Sequence, residues 1–218
     1  MISIEYSFFD TASNENEVKE IFNQVNKYQI DVISILPFYV KLIKNIVNNV
    51  KVASPIDYPC GILDLKSRAS ATESAIKAGA EIIDVVVPSY YLCNRKYDKF
   101  REDIKNIKEI ADQHKVITRY ILEYRVYSYE LLYRICQILL DNNINTVLPS
   151  SGFGLDDISD NIIAAALINK KIPNLNIICN GNIWNEKHID LIKKANLSSI
   201  RVGSINSLEL LHKKFNTF

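Results

Sequence analysis

A parallel (β/α)8 barrel, an α/β TIM-barrel fold in one domain over residues 1–218, is what this sequence predicts, on three observations. Eight short, β-branched apolar runs recur along it. Between them lie stretches whose apolar residues recur at intervals of three and four. Neither G-x-G-x-x-G nor G-x-x-x-x-G-K-[ST], the turns that accompany an open doubly wound sheet, is present. Near-continuous apolar strands alternating with helices form a parallel sheet covered by helices.

The elements follow in order. Residues 2–7 form the first strand, and residues 17–27 place Val18, Ile21, Phe22 and Val25 on one helix face. Runs 31–36 and 51–56 are the second and third strands. Residues 70–79 carry Ala71, Ser74, Ala75 and Ala78 at helical spacing, with Gly79 as the stop. Strand four covers 82–88, and the helix at 99–111 aligns Phe100, Ile104, Ile107 and Ala111. Strands at 116–123, 145–150, 175–180 and 199–204 are followed by helices at 129–141, 157–168, 185–195 and 207–215. No linker, low-complexity segment or charge block interrupts the alternation.

Composition narrows the function classes. With 26 basic and 25 acidic residues, net charge +1, the chain lacks the basic surplus of a nucleic-acid binder. No apolar run reaches the ~18 residues that span a bilayer. The opening MISIEYSFFD has no basic region of a signal peptide. Cys60, Cys93, Cys136 and Cys179 are scattered, as expected of free thiols in a cytoplasmic protein.

In a (β/α)8 barrel the residues at strand C-terminal ends build the site. Here those ends carry Glu5, Ser7, Ser34, Asp57, Asp84, Arg119, Glu123, Ser150, Ser151, Asn180, Gly203 and Ser204. Asp84 in EIIDVVVP and Arg119 in VITRYILE sit inside apolar runs, where a charge needs a partner. Two readings stand: a structural bridge between the two, or part of a site. Of the six glycines, several fall at strand ends, where backbone turns tightly or approaches a ligand. CNGN (179–182) and VGSINS (202–207) follow strands seven and eight, the usual barrel place for an anion on backbone N–H groups.

The ordered motifs resemble the deoxyribose-phosphate aldolase family, (β/α)8 barrels that cleave a 2-deoxy-sugar phosphate through a lysine Schiff base. IEYSFF (4–9) is similar to I-D-H-T-L-L, SILPFYV (34–40) to C-V-Y-P-x-x-V, and DYPCG (57–61) to N-F-P-x-G. TESAIKAGAEIIDVVVP (72–88) matches the segment that carries the family's relay aspartate, which falls on Asp84. TRYILE (118–123), TVLPSSGF (146–153), IICNGNI (177–183) and IRVGSINS (200–207) resemble L-K-V-I-I-E, F-V-K-T-S-T-G-F, V-K-A-S-G-G-I and R-I-G-T-S-S-G. The resemblance places the Schiff-base lysine at Leu148, the relay lysine at Ile178 and the fifth-strand lysine at Arg119. Leucine has no amine and arginine stays charged, so the imine mechanism is not expected. His114, His188 and His212 lie away from strand ends, so neither a metal nor another cofactor is expected. The second glycine of the phosphate turn becomes Asn182, and a loop serine becomes Asn206.

The first reading is therefore a repurposed enzyme of lyase, isomerase or non-imine aldol type. It acts on a small polar or phosphorylated carbonyl compound, and a homodimer is one assembly to expect of it. Asp84 is its acid/base, Arg119 polarises a carbonyl and Ser150 completes the catalytic set. Glu5, Ser34, Asp57, Glu123, Ser151 and Asn180 bind substrate; Gly181, Gly203, Ser204 and Asn206 bind phosphate. The alternative is a non-catalytic binding or scaffold protein, in which Leu148 and Ile178 pack together. Tyr90, Tyr91, Tyr120, Tyr124, Tyr127, Tyr129 and Tyr133 are expected to pack helices onto the barrel or form a dimer surface rather than line the pocket.

Overall fold

Side chains on a strand alternate between its two faces, and this period of two sets the architecture. The computed structural model describes residues 2–47, 49–154, 157–195, 197 and 199–215. Its strands are β1 (Ser3–Phe8), β2 (Val32–Ile35), β3 (Lys51–Ile56), β4 (Ile82–Val86), β5 (Ile117–Ile121), β6 (Thr146–Leu148), β7 (Asn176–Asn180) and β8 (Ser199–Val202). They form a closed parallel barrel in sequence order, with β1 pairing β8. The helices are α1 (Glu15–Val25), α2 (Val40–Lys44), α3 (Leu65–Lys77), α4 (Ser89–Cys93), α5 (Tyr97–Gln113), α6 (Tyr129–Asp141), α7 (Ile158–Lys171), α8 (Glu186–Ala195) and α9 (Ile205–Phe215).

Caps set where the helices begin. Asn14 accepts from the backbone of Asn16 and Glu17, and the Glu17 carboxylate returns to the Asn14 N–H, so α1 starts at Glu15, two residues before the expected residue 17. Asp64 caps α3 through Ser67 N at 2.8 Å. That start precedes the expected residue 70 because Arg68, not an apolar residue, fills the buried position of its first turns. The short helices α2 and α4 carry too few turns to register as periodicity.

One face of each strand packs outward. Tyr6, Ile33, Val52, Ile83, Val85, Tyr120, Val147, Cys179, Ile200 and Val202 share one core with Phe22, Phe100, Ile104, Leu132, Ile135 and Leu208 of the helices. The alternate residues fill the barrel in layers. Val32, Ala53 and Ile82 cluster separately. Above them lie Glu5, Ser34, Asp84, Arg119 and Arg201, all buried. Val86, Ile121, Leu148 and Ile178 form a further apolar cluster, with Tyr58 against it.

Two glycines are required by this packing. Gly61 has φ +63°, and a Cβ there would lie 2.3 Å from the Val87 carbonyl oxygen. Gly181 has φ +150°, and its Cβ would meet Ile158 of α7 at 3.1 Å. The close approach at Gly181 is thus to the protein's own helix. All four cysteines are free thiols, and no helix among the described residues is long and apolar enough to cross a membrane.

Candidate functional site

The register brings the interior charges side by side: Asp84 is the partner of Arg119, and Glu5 of Arg201. Arg119 donates through Nε to Asp84 Oδ1 at 2.7 Å and through Nη1 to Glu5 Oε1 at 2.7 Å. Arg201 donates through Nη2 to Asp84 Oδ2 and Glu5 Oε2, each at 2.7 Å. Ser34 Oγ donates to Asp84 Oδ2 at 3.1 Å. The result is a closed ring of two carboxylates and two guanidiniums, with no formal net charge.

Burial alone would raise the Asp84 carboxyl, but Arg119 and Arg201 outweigh it and bring the pKa down to about 2. Burial would likewise lower Arg119, and Asp84 and Glu5 reverse that and raise it. Both oxygens of Asp84 are engaged and its exposure is 0%. Near neutral pH it neither holds a proton to give nor has a basic site to receive one. Asp84 and Arg119 are bridged, and the bridge widens to four charges, of which Arg201 also lines a cleft at the barrel's C-terminal end.

Leu148 and Ile178 lie in the apolar cluster, 1% and 5% exposed. Tyr58 packs against that cluster and edges toward Phe9, ring centroids 4.7 Å apart. Burial first, then nearby Glu123, pushes the Tyr58 hydroxyl up to about 12.

Beside this apolar layer the C-terminal end of the barrel holds a cleft of about 260 Å³. Its polar lining includes Ser7, Ser150, Ser151, Asn180, Asn182 and Arg201; Phe9, Tyr58 and Trp184 supply aromatic surface. Asn180 and Ser150 are held by Asn161 of α7: its Nδ2 donates to Ser150 Oγ at 3.1 Å, and its Oδ1 accepts from Asn180 N at 3.2 Å. Asn180 Nδ2 also donates to Ser150 Oγ, at 3.2 Å. This hub sets two cleft side chains without any ligand.

The expected site residues divide. Ser150, Ser151, Asn180, Gly181 and Gly203 come together on the cleft. Glu5, Ser34, Asp84 and Arg119 lie in the buried layer and are not part of the cleft lining. Asp57 is turned to another network: its carboxylate pairs with Arg68, whose Nε also donates to Asp103 at 2.8 Å, and it accepts from Ile62 N and Leu63 N. Glu123, at φ +53°, accepts from Ser151 N and braces the turn after β6. Gly181 N donates to Arg201 O, and Gly203 N to Asn182 Oδ1, each at 3.0 Å. Ser204 Oγ accepts from Ser207 N at 3.2 Å and caps α9, and Asn206 is exposed in its first turn. No His/Cys/Asp/Glu group spaced to hold a metal occurs among the described residues.

Tyr120, Tyr124 and Tyr127 are buried, whereas Tyr90 and Tyr129 are exposed. Tyr120 meets Phe100 edge-on, and Tyr127 donates to Ser89 Oγ at 2.8 Å; none of the seven lines the cleft. Sequence reasoning assigned no role to Arg201, Asn161 or Trp184. Arg201 carried a usable signal, being a charge flanked by Ile200 and Val202 as Asp84 is by Ile83 and Val85.

No family model matches the chain. A protein of Caldicellulosiruptor saccharolyticus named deoxyribose-phosphate aldolase is 29% identical over 153 residues, 69% of this chain and 70% of that one. One of that name from Mycoplasmopsis pulmonis is 24% identical over 97% of this chain and 94% of its own. Among solved structures, the aldolase QR15 superposes with TM-score 0.86 at 20% identity, covering 96% of this chain and 94% of that one. Relatives of that name over nearly the whole chain, and an aldolase of the same barrel, bear out the resemblance drawn from the motifs.

Proposed function

We propose that this deoxyribose-phosphate aldolase-like barrel is a non-catalytic, cytoplasmic protein that binds a small polar molecule in the β6–β8 cleft. The observation that carries this is the ionic ring: the one aspartate inherited from the relay is buried and fully engaged by two guanidiniums and a serine. Leu148 and Ile178, at the positions the resemblance gives to catalytic lysines, pack with Val86 and Ile121 and offer no amine. Beside them the cleft keeps hydroxyls, carboxamides and aromatic faces, the lining of a small-ligand site. The sequence put a repurposed enzyme first; the engagement of Asp84 favours the reverse order.

Arg201 supports a second reading, because it belongs both to the ring and to the cleft lining, where a guanidinium can polarise a carbonyl. The two are separated by incubating the protein with 2-deoxyribose 5-phosphate and borohydride, then measuring mass and aldehyde release. The binding reading expects no adduct and no release. A covalent adduct, or turnover that Asp84→Asn abolishes, would overturn it.

A further inference from the structure

We propose that Asn182 stands in for an anion at the turn after β8, so that the cleft selects an uncharged, polyhydroxylated ligand of monosaccharide size over its phosphorylated form. This rests on reading the cleft as a ligand site. In a (β/α)8 barrel the turns after the last two strands aim backbone N–H groups at a phosphate. In this chain two of those donors are already used. Gly203 N–H points at Asn182 Oδ1, 3.0 Å away, and Gly181 N–H at Arg201 O, also at 3.0 Å. The carboxamide oxygen is a neutral acceptor tethered where a phosphate oxygen would sit. A phosphate must break that bond to enter.

Charge gives no compensation. Arg201 is the cation among the described lining residues, and its Nε and Nη2 are held by Glu5 and Asp84. With Arg119 completing the balance, the ring carries no formal net charge to attract an anion. What remains suits a neutral ring. Ser7, Ser151, Asn180 and Asn182 present both donors and acceptors, and Phe9, Tyr58 and Trp184 present faces for C–H surfaces. A volume of about 260 Å³ fits a small ligand.

Trp184 is the chain's one tryptophan and lines the cleft, so its fluorescence reports occupancy directly. The test titrates D-ribose, D-ribose 5-phosphate and inorganic phosphate into wild type, Asn182→Gly and Asn182→Ala, with the Gly203 amide resonance as second readout. Wild type is expected to bind D-ribose at least about tenfold tighter than D-ribose 5-phosphate, a difference of about 1.4 kcal/mol. Both variants free the Gly203 N–H; they should reverse the preference and gain an inorganic-phosphate response that shifts that amide. The alanine variant guards against the extra backbone freedom of glycine. If wild type prefers the phosphorylated sugar, or both variants keep the wild-type preference, the inference falls while the cleft still binds. If no probe moves Trp184 or Gly203 in any of the three proteins, the inference and the ligand-site reading fall together.

Discussion

Two sides of the barrel's C-terminal end finish differently, although they close one barrel. On the first side Val86, Ile121, Leu148 and Ile178 pack into an apolar layer under Tyr58. On the second, Ser150 and Ser151 after β6, Asn180 of β7, Gly203 after β8 and Ser7 of β1 line the cleft, and Arg201 reaches it from the ring below. The same ionic ring thus has an apolar cover on one side and an opening on the other. Bulky branched residues fill the first side, whereas serine, asparagine and glycine line the opening of the second. The first side should answer to changes in stability, the second to changes in binding.

The largest effect is expected from Asp84→Ala, which strands two buried guanidiniums beneath both sides. Urea unfolding should show a loss of about 3–5 kcal/mol. A loss below about 1 kcal/mol would mean that the ring does not hold the barrel interior together. Next, Leu148→Ala opens a cavity in the covered side alone. It should cost about 3 kcal/mol and leave the D-ribose response of Trp184 within about twofold of wild type. Equal damage to both would erase the distinction between the sides.

Acid sharpens the role of the ring. The Asp84 carboxyl lies near 3.8 unfolded and about 2 folded. A depressed folded pKa contributes stability that is fully present above about pH 4 and lost as pH falls through about 2. The contribution is on the order of 2 kcal/mol. The stability difference between wild type and Asp84→Asn should therefore shrink over that window; a difference that stays flat from pH 5 to 2 would contradict a pairing of this strength. The smallest stability effect belongs to the open side. Trp184 is 67% exposed, so Trp184→Ala should shift unfolding by no more than about 0.5 kcal/mol. Calorimetry with D-ribose should nevertheless register weaker binding, and an unchanged affinity would remove Trp184 from the ligand's surroundings.

Much of the barrel could be read in advance. All eight runs became strands, and the helix at 129–141 kept its limits because Ser128 caps it and its apolar stripe begins in the first turn. The start of α3 was missed because Arg68 interrupts the apolar pattern while being buried. The candidate site was less legible. Ser150 and Asn180 were found at strand ends, but Asn161, which holds them, sits within SDNIIAAAL on a helix and looks like any exposed polar residue. Gly181 was read as a phosphate-binding backbone N–H; that N–H donates to Arg201 O, and the missing Cβ makes room for Ile158.

Local patterning therefore decided strands, helices and their order, since periodicity and capping act between residues a few positions apart. The partners of each polar group were decided in three dimensions. Asp84 between Ile83 and Val85 is one string of letters whether it faces a substrate or two guanidiniums. The answer came from Arg201, 117 residues away, which barrel closure brings to 2.7 Å. Which N–H meets Asn182 was settled in the same way, by a turn after β7 folding back on the turn after β8. A buried charge is governed by what surrounds it in space, and chain distance carries almost none of that information.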